Sequence, residues 1–286
     1  MKQSIAIITA SLLLCSASAF AASKTGSITN DVLSMNGLNA TSTALEATAV
    51  AGGIDVQHSN TGDMLNFVDA NKLSATANAD EAIAVAGGIN VEESTLNGII
   101  DNTISVGGNI TAVAGEKAEA IAGGVNVVHN SWIRDIDNYA YVDGNVKAIA
   151  EHEMADAIAA SVNLHGAGAA SSVTNIVGLN NNVNKVTANA DGSYTDTVAG
   201  GVNLEWVQNF GDINNIVLDA QDIMATTSAH EATAVAAGIN LQNGAEVGDL
   251  WNSVSTGGNI TAIADHENSL AVAGGINVDS DELLVD

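Results

Sequence analysis

The octamer AVAGGINV, which occupies residues 84–91 and recurs unchanged at 271–278, decides the fold of this chain. Five other segments repeat it with small changes, so that seven versions span the chain, at 49–56, 84–91, 120–127, 157–164, 197–204, 234–241 and 271–278. Its residues are small or apolar at both odd and even positions, which is typical of a strand buried on both faces. We therefore expect each version to be an inner strand of a repetitive structure.

Two series of asparagines mark the repeat. The seventh octamer residue forms the first series, with spacings of 35, 36, 37, 40, 37 and 37, at Asp55, Asn90, Asn126, Asn163, Asn203, Asn240 and Asn277. The second series is out of phase with the first, at Asn30, Asn66, Asn102, Asn138, Asn175, Asn215 and Asn252. Val or Ile stands two residues after each member except Asn138, where Ala140 takes that place. Because like amides hydrogen-bond along a stack, we expect two structural asparagine ladders. The competing interpretation is that these asparagines simply favour turns.

Each repeat contains three short extended pieces: an Asn-x-Val segment, an alternating segment such as 109–114, and the octamer after an acidic turn. Alternation with Val, Ile and Thr favours strands. Thirty-seven extended residues cover about 120 Å, which is too long for a hollow triangle that side chains could fill. The sequence therefore predicts an all-β protein, a repeat β-solenoid of about seven stacked rungs of ~37 residues, each folded back in a serpentine or Greek-key shape.

Three other architectures are compatible with the repeat. The many alanines would suit helices, although a glycine inside a helix costs about 1 kcal/mol. Two coils of ~18 residues per repeat would give a narrower β-helix. An antiparallel meander closed in an outer membrane would require aromatic girdles, and the few aromatics are scattered unevenly.

The octamer glycines and the missing prolines have related explanations. Glycine is replaced in two octamers, by Ala160, Ser161 and Ala237. The glycine pair therefore does not require a positive φ, and close approach between sheets explains it better. The chain has no proline. Stacked rungs would use nearly every backbone N–H, and a proline would leave an acceptor unpaired.

The chain begins with the pattern of a secretory signal peptide: Lys2, an apolar stretch, and Ala19-Phe20-Ala21 as a cleavage site. The rival interpretation is a lipoprotein signal ending at Cys15. We predict a signal peptide at 1–21, the solenoid at 22–278 and an acidic tail at 279–286, in a secreted, extracellular or cell-surface protein. No later apolar run reaches the ~20 residues of a membrane helix.

Acidic residues outnumber basic ones by 33 to 7, which gives a formal charge of −26 and excludes nucleic acid as a partner. Many lie in the turn before the octamer, at Glu46, Asp80, Glu81, Glu116, Glu119, Glu151, Glu153, Asp191, Glu231, Asp265 and Glu267. Stacking would align them in a row, which is either a solvated edge or a row that binds calcium or responds to protonation.

No catalytic motif is present, so we expect neither an enzyme nor a cofactor, calcium apart. His152, His230 and His266 precede glutamates in the same turn, but in only three repeats, which does not make a metal site. Trp132, Trp206 and Trp251 occur at different phases of the repeat and form no regular platform for carbohydrate.

Gly124-Val125-Asn126 and Gly201-Val202-Asn203, the repeat length and the signal peptide together resemble the Fap-type functional amyloid subunits of bacterial biofilms. The resemblance implies an exported protein whose rungs stack into fibres. We therefore expect a structural protein that assembles with itself into fibres or biofilm matrix after outer-membrane export. The alternative is a monomeric cell-surface adhesin or ligand-binding solenoid, for which calcium is the candidate ion.

Overall fold

The structure, a computed structural model, describes residues 28–43, 48–57, 60–78, 83–92, 95–96, 98–115, 117, 119–128, 135–150, 156–166, 170–179, 185–190, 195–205, 210–228, 231–242, 246–247, 249–265, 267–279 and 284–285. For some strand residues, among them Asp55, only the backbone is described. Strands and no helix are found in these ranges. They form a parallel β-solenoid of about five turns, which confirms the all-β solenoid class.

Sheet A is built from the Asn-x-Val segments and has nine strands. They are β1 (Ile28–Ser34), β6 (Met64–Ala70), β10 (Ile99–Val106), β13 (Asp135–Val142), β16 (Ala170–Leu179), β19 (Phe210–Ala220), β22 (Glu246–Val247), β23 (Leu250–Thr256) and β26 (Leu284–Val285). Sheet B contains the alternating segments as seven strands: β2 (Leu38–Ser42), β7 (Leu73–Ala77), β11 (Ile110–Ala114), β14 (Val146–Ala150), β17 (Lys185–Ala190), β20 (Asp222–Thr227) and β24 (Ile260–Ala264).

Sheet C contains the octamers as eight strands: β3 (Thr48–Val50), β4 (Ile54–Gln57), β8 (Ile83–Glu92), β12 (Glu119–Val128), β15 (Asp156–His165), β18 (Asp196–Glu205), β21 (Thr233–Gln242) and β25 (Leu270–Asp279). A separate pair joins β5 (Asn60–Thr61) to β9 (Thr95–Leu96). Every pairing is parallel and joins equivalent residues of successive repeats, as in Asn102 opposite Asn138. This register excludes two coils per repeat and an antiparallel meander.

The sheets differ in burial as their sequence patterns predict. The inner strands of sheet B alternate between buried and half-buried residues, so that Leu73, Ala75 and Ala77 contribute to the core from one face of β7. The octamer strands are buried on both parities, and β15 is buried from Ala157 to Leu164. Five such strands, from β8 to β21, are continuous and buried; the first octamer is divided into β3 and β4, and β25 at the other end is partly exposed.

The octamer glycines allow sheet A to approach sheet C closely. A Cβ on Gly201 would lie 2.7 Å from both methyl carbons of Val217, and one on Gly88 would overlap the side chain of Ile104. Among the described residues only Gly37 and Gly166 are glycines with positive φ, and neither belongs to an octamer. The prediction of close approach without a positive φ is therefore confirmed.

The structure describes two parts of the segment 279–286. Asp279 is the last residue of β25, and β26 pairs in parallel with β22, so Leu284 and Val285 belong to sheet A. Residues 1–21 lie outside the described residues. A search of the described residues found no helix of the length and apolarity that a membrane span requires.

Repeat four contains two departures from the pattern that lie close together in the core. The second octamer glycine is replaced by Ser161, which is fully buried. At the equivalent position one turn earlier, a Cβ on Gly124 would lie 3.1 Å from Ile104 Cγ2 and 3.5 Å from Ala140 Cβ. By the same spacing Ser161 lies between Ala140 and Val177. We infer that the small side chain of Ala140 leaves the room that Ser161 needs.

Replacing Ala140 by valine should therefore lower the free energy of unfolding by about 1–3 kcal/mol through overpacking. The same replacement in a Ser161→Gly background should cost clearly less, because the added methyl groups then face a glycine, as Ile104 faces Gly124. Urea unfolding of the four proteins measures the coupling. An equal cost in both backgrounds would contradict the inferred contact.

Candidate functional site

The first asparagine ladder runs through the core side of sheet A. Asn30 Nδ2 donates to Asn66 Oδ1 at 2.9 Å, and Asn66 Nδ2 donates to Asn102 Oδ1 at 2.8 Å. The same bond continues through Asn138, Asn175, Asn215 and Asn252, always from the earlier residue to the later one. Each inner asparagine of this ladder is 3% exposed or less. Both halves of each inner amide are thereby satisfied away from water.

The second ladder runs through the octamer strands of sheet C in the opposite direction. Asn126 Nδ2 donates to Asn90 Oδ1 at 2.7 Å, and Asn163 Nδ2 donates to Asn126 Oδ1 at 2.8 Å. The bond continues from Asn203, Asn240 and Asn277, always from the later residue to the earlier one. The backbone of Asp55 pairs with that of Asn90, which places Asp55 in the register of this ladder. Its side chain lies outside the described residues.

The longest repeat does not interrupt either ladder. Asn163 and Asn203 are 40 residues apart, yet their amides are joined at 2.8 Å, like those of Asn126 and Asn163, which are 37 apart. The same holds in sheet A for Asn175 and Asn215, which are also 40 apart. The additional residues of this repeat are therefore accommodated outside the strands.

A cavity of about 230 Å³ opens beside sheet C. Three carboxylates at the strand starts line it, together with branched side chains two positions later and two polar residues at the strand ends. These are Glu119, Asp156 and Asp196, then Ile158, Val198 and Val235, and finally His165 and Glu205. Asp156 and His165 begin and end one strand, and nine extended steps cover about 30 Å. Residues from both ends of this strand nevertheless line one cavity, and the strand pairing is interrupted at the glycine pair.

The cavity has a coupled set of titratable groups. His165 Nδ1 and Glu205 Oε2 are 3.2 Å apart. This hydrogen bond, opposed by partial burial, raises the pKa of His165, and the charges of Glu205, Glu119 and Asp156 act in the same direction. Partial burial also raises the pKa of Asp156, against the hydrogen bond that the Asp196 N–H donates to Asp156 Oδ1 at 3.1 Å. The cavity thus favours protons and positive charge.

Sequence reasoning missed His165, Glu205, Asp156 and Asp196, although a signal was present. Each stands immediately before or after an octamer, where the pattern changes from apolar to charged. No signal in the sequence predicts that strand starts and strand ends line one cavity, because the pattern is equally apolar on both sides of the glycine pair.

Most of the predicted acidic turn lies outside the described residues: Glu46, Asp80, Glu81, Glu116, Glu151, Glu153 and Asp191. The same is true of His152, His230, His266, Trp132 and Trp206. Of the remainder, Glu119 lines the cavity, and Glu231, Asp265 and Glu267 are exposed. Trp251 is exposed on β23. Within the described ranges, no three His, Cys, Asp or Glu side chains are grouped so that they could hold a metal ion.

Comparison with known proteins found no matching family model, no similar curated protein and no similar solved structure.

Replacing Asn163 by alanine should lower the free energy of unfolding by about 3 kcal/mol. The change removes two bonds and leaves Asn126 Oδ1 and Asn203 Nδ2 buried without partners, at about 1–3 kcal/mol for each unsatisfied group. Asn39→Ala, at an exposed position of β2, is the control and should change little. A loss below about 1 kcal/mol for Asn163→Ala in urea unfolding would show that the ladder does not stabilise the fold.

The His165–Glu205 contact should make stability depend on pH. A pKa raised in the folded state stabilises the protein below the unfolded value near 6.5, and this contribution is lost as pH rises through the folded value. Urea unfolding at about pH 6 and pH 8.5 should therefore show a decrease in stability that is smaller in Glu205→Gln. Identical pH dependence in both proteins would contradict this assignment.

Proposed function

We propose that this chain is a secreted structural protein that assembles with itself, end to end, into extracellular fibres or biofilm matrix. Its role in this proposal is mechanical and not catalytic. The observation that carries it is the pair of open ends. In the described part of the chain, β23, β24 and β25 at one end and β1, β2 and β3 at the other pair on one side only. Open strand edges present unpaired N–H and C=O groups that can pair with another chain.

Apolar side chains at the last turn support this role. Ile276 is 44% exposed, whereas Ile239, its register partner one turn inside, is 0% exposed. The difference arises because β25 has no further strand beside it in the described residues. Within one chain, Ile276 and its neighbours cover Ile239. A second copy that continued the stack would cover Ile276 in the same way. Burial of such side chains contributes about 25 cal/mol per Å² of apolar surface.

The proposed solenoid has seven rungs, one for each repeat. In each rung the coil folds back at the glycine pair. Three observations support this arrangement: sheet B has seven strands, the octamer strands are buried on both faces, and residues from both strand ends line one cavity. A coil folded in this way has no hollow interior and can be repeated without limit along its axis.

The location of the protein rests on the signal-peptide pattern of residues 1–21, and the kind of assembly on the resemblance to Fap-type subunits. Secretion to the cell surface through outer-membrane export machinery follows from both. The acidic surface suits an extracellular polymer, because a charge of −26 keeps free subunits apart until their ends meet.

A monomeric adhesin or ligand-binding solenoid is the second candidate, and the cavity beside sheet C favours it. Three carboxylates and the His165–Glu205 pair would receive a small cationic group of a ligand. Calcium would bind separately, at the predicted acidic turn. Isothermal titration calorimetry with Ca²⁺ tests this candidate directly. Heat of binding with a persistent monomer would favour it over self-assembly.

Electron microscopy and fibre diffraction of the purified protein test the first candidate. We expect unbranched fibres with a reflection at 4.7–4.8 Å along the fibre axis. Ile260→Pro is the edge-blocking variant. Its position is equivalent to Leu73 and Ile223, whose N–H groups donate to the next turn, and proline is tolerated at the first residue of a strand. The variant should fold, as judged by circular dichroism, and fail to assemble.

Sedimentation of wild-type protein as a monomer over a wide range of concentration, pH and Ca²⁺ would overturn the structural proposal. So would fibres of undiminished yield from Ile260→Pro, because assembly would then not use the strand edges at this end.

A further inference from the structure

The two ladders give the two ends of the solenoid different hydrogen-bonding groups. In sheet A the last member, Asn252, accepts from Asn215, and its own Nδ2 has no partner among the described residues. The first member, Asn30, donates to Asn66, and its Oδ1 accepts nothing from the described chain. One end therefore offers a donor at the position where the other end offers an acceptor.

Sheet C has the reverse arrangement. Asn277 donates to Asn240, so the group it turns toward the open end is the acceptor Oδ1, which has no partner in the described ranges. A copy that continues this ladder must bring a donor to that position. At the opposite end the ladder position is occupied by Asp55, whose backbone is in register with Asn90. An ionised carboxylate accepts hydrogen bonds and donates none.

We propose that copies of this chain join head to tail, with the first turn of one copy on the last turn of the next, and that Asp55 restrains this contact. The inference rests on the proposed self-assembly. Joining unlike ends pairs Asn252 Nδ2 with Asn30 Oδ1 and continues the sheet A ladder. Joining like ends with each ladder against its own counterpart would place donor against donor or acceptor against acceptor.

Asp55 makes the head-to-tail contact incomplete. In sheet C the ladder position that follows Asn277 must supply a donor to its Oδ1, and an ionised aspartate at that register position has none. An acceptor that is buried without a donor costs as much as a lost hydrogen bond or more. Charge on an edge strand is a recognised way in which natural sheets prevent edge-to-edge association. The other six octamers carry asparagine here, so the single aspartate stands at the first position of the sheet C ladder, at the end opposite Asn277.

The first test compares Asp55→Asn with Asp31→Asn. Asp31 is exposed on β1, at the same end, and its removal changes the net charge equally without touching a ladder. Asp55→Asn should lower the concentration at which assembly begins by about tenfold or more, since one recovered buried hydrogen bond is worth roughly that factor. Asp31→Asn should resemble the wild type. Equal effects of the two variants would assign the change to net charge and overturn the role of Asp55.

The second test determines the polarity of the contact. Register in sheet B makes Thr41 of β2 and Ile263 of β24 equivalent positions at opposite ends, and both are exposed. In a Cys15→Ser background, chains with Thr41→Cys are mixed with chains with Ile263→Cys and oxidised. Adjacent strands lie about 4.8 Å apart, within the range that a disulfide spans. Mixed chains should form disulfide dimers, and neither variant should do so alone.

The outcomes separate this inference from the proposed function. Fibres in which Ile263→Cys links only to itself would overturn head-to-tail polarity and leave self-assembly standing. Monomers of every variant, Asp55→Asn included, would overturn self-assembly itself. Folding of Asp55→Asn is checked by circular dichroism and is expected, because asparagine holds the same position in every other octamer.

Discussion

The hydrogen bonds that each turn makes to the equivalent residues of the next turn are the constraint on which the rest of the structure depends. Because partners are equivalent residues about 4.8 Å apart, every side chain in a strand meets the side chain at its own position in the next repeat. A polar residue in the core must therefore form its hydrogen bonds with the same type of residue in the neighbouring turns. Asparagine can do so, since its amide both donates and accepts, and aspartate cannot. The absence of proline follows from the same constraint, because nearly every N–H of a strand is used by a neighbouring turn.

Much of this arrangement could be predicted from the sequence, because the spacing of the repeats determines which residues pair. The positions of Asn102 and Asn138, and the three extended pieces of each repeat, follow from spacing and alternation alone. The cavity that strand starts and strand ends share does not, because the two halves of the octamer have the same apolar pattern. His165 and Glu205 line that cavity. The directions of the ladders were also beyond prediction, since a row of asparagines reads the same whichever way its amides point.

Variation among the repeats is tolerated in different ways inside and outside the strands. The repeat of 40 residues keeps its amide contact at 2.8 Å, so its added length has no effect on the stack. Ser161 is a change inside a strand, and in the inferred packing the smaller residue Ala140 of the same repeat gives it room. The sequence shows both departures, but only the packing of sheet A against sheet C relates them. Loops of this solenoid can therefore vary independently, whereas strand residues change together with the residues that pack against them.

The opposite directions of the two ladders have a consequence for the electrostatics of a long stack. Each amide carries a dipole, and a single row of aligned amides would add them along the axis, as the peptide groups of an α-helix do. In this chain the row in sheet A and the row in sheet C point in opposite directions, so their axial dipoles largely cancel. Adding turns therefore builds up no net axial field from the side-chain amides, and the stack can lengthen without accumulating partial charge at its tips.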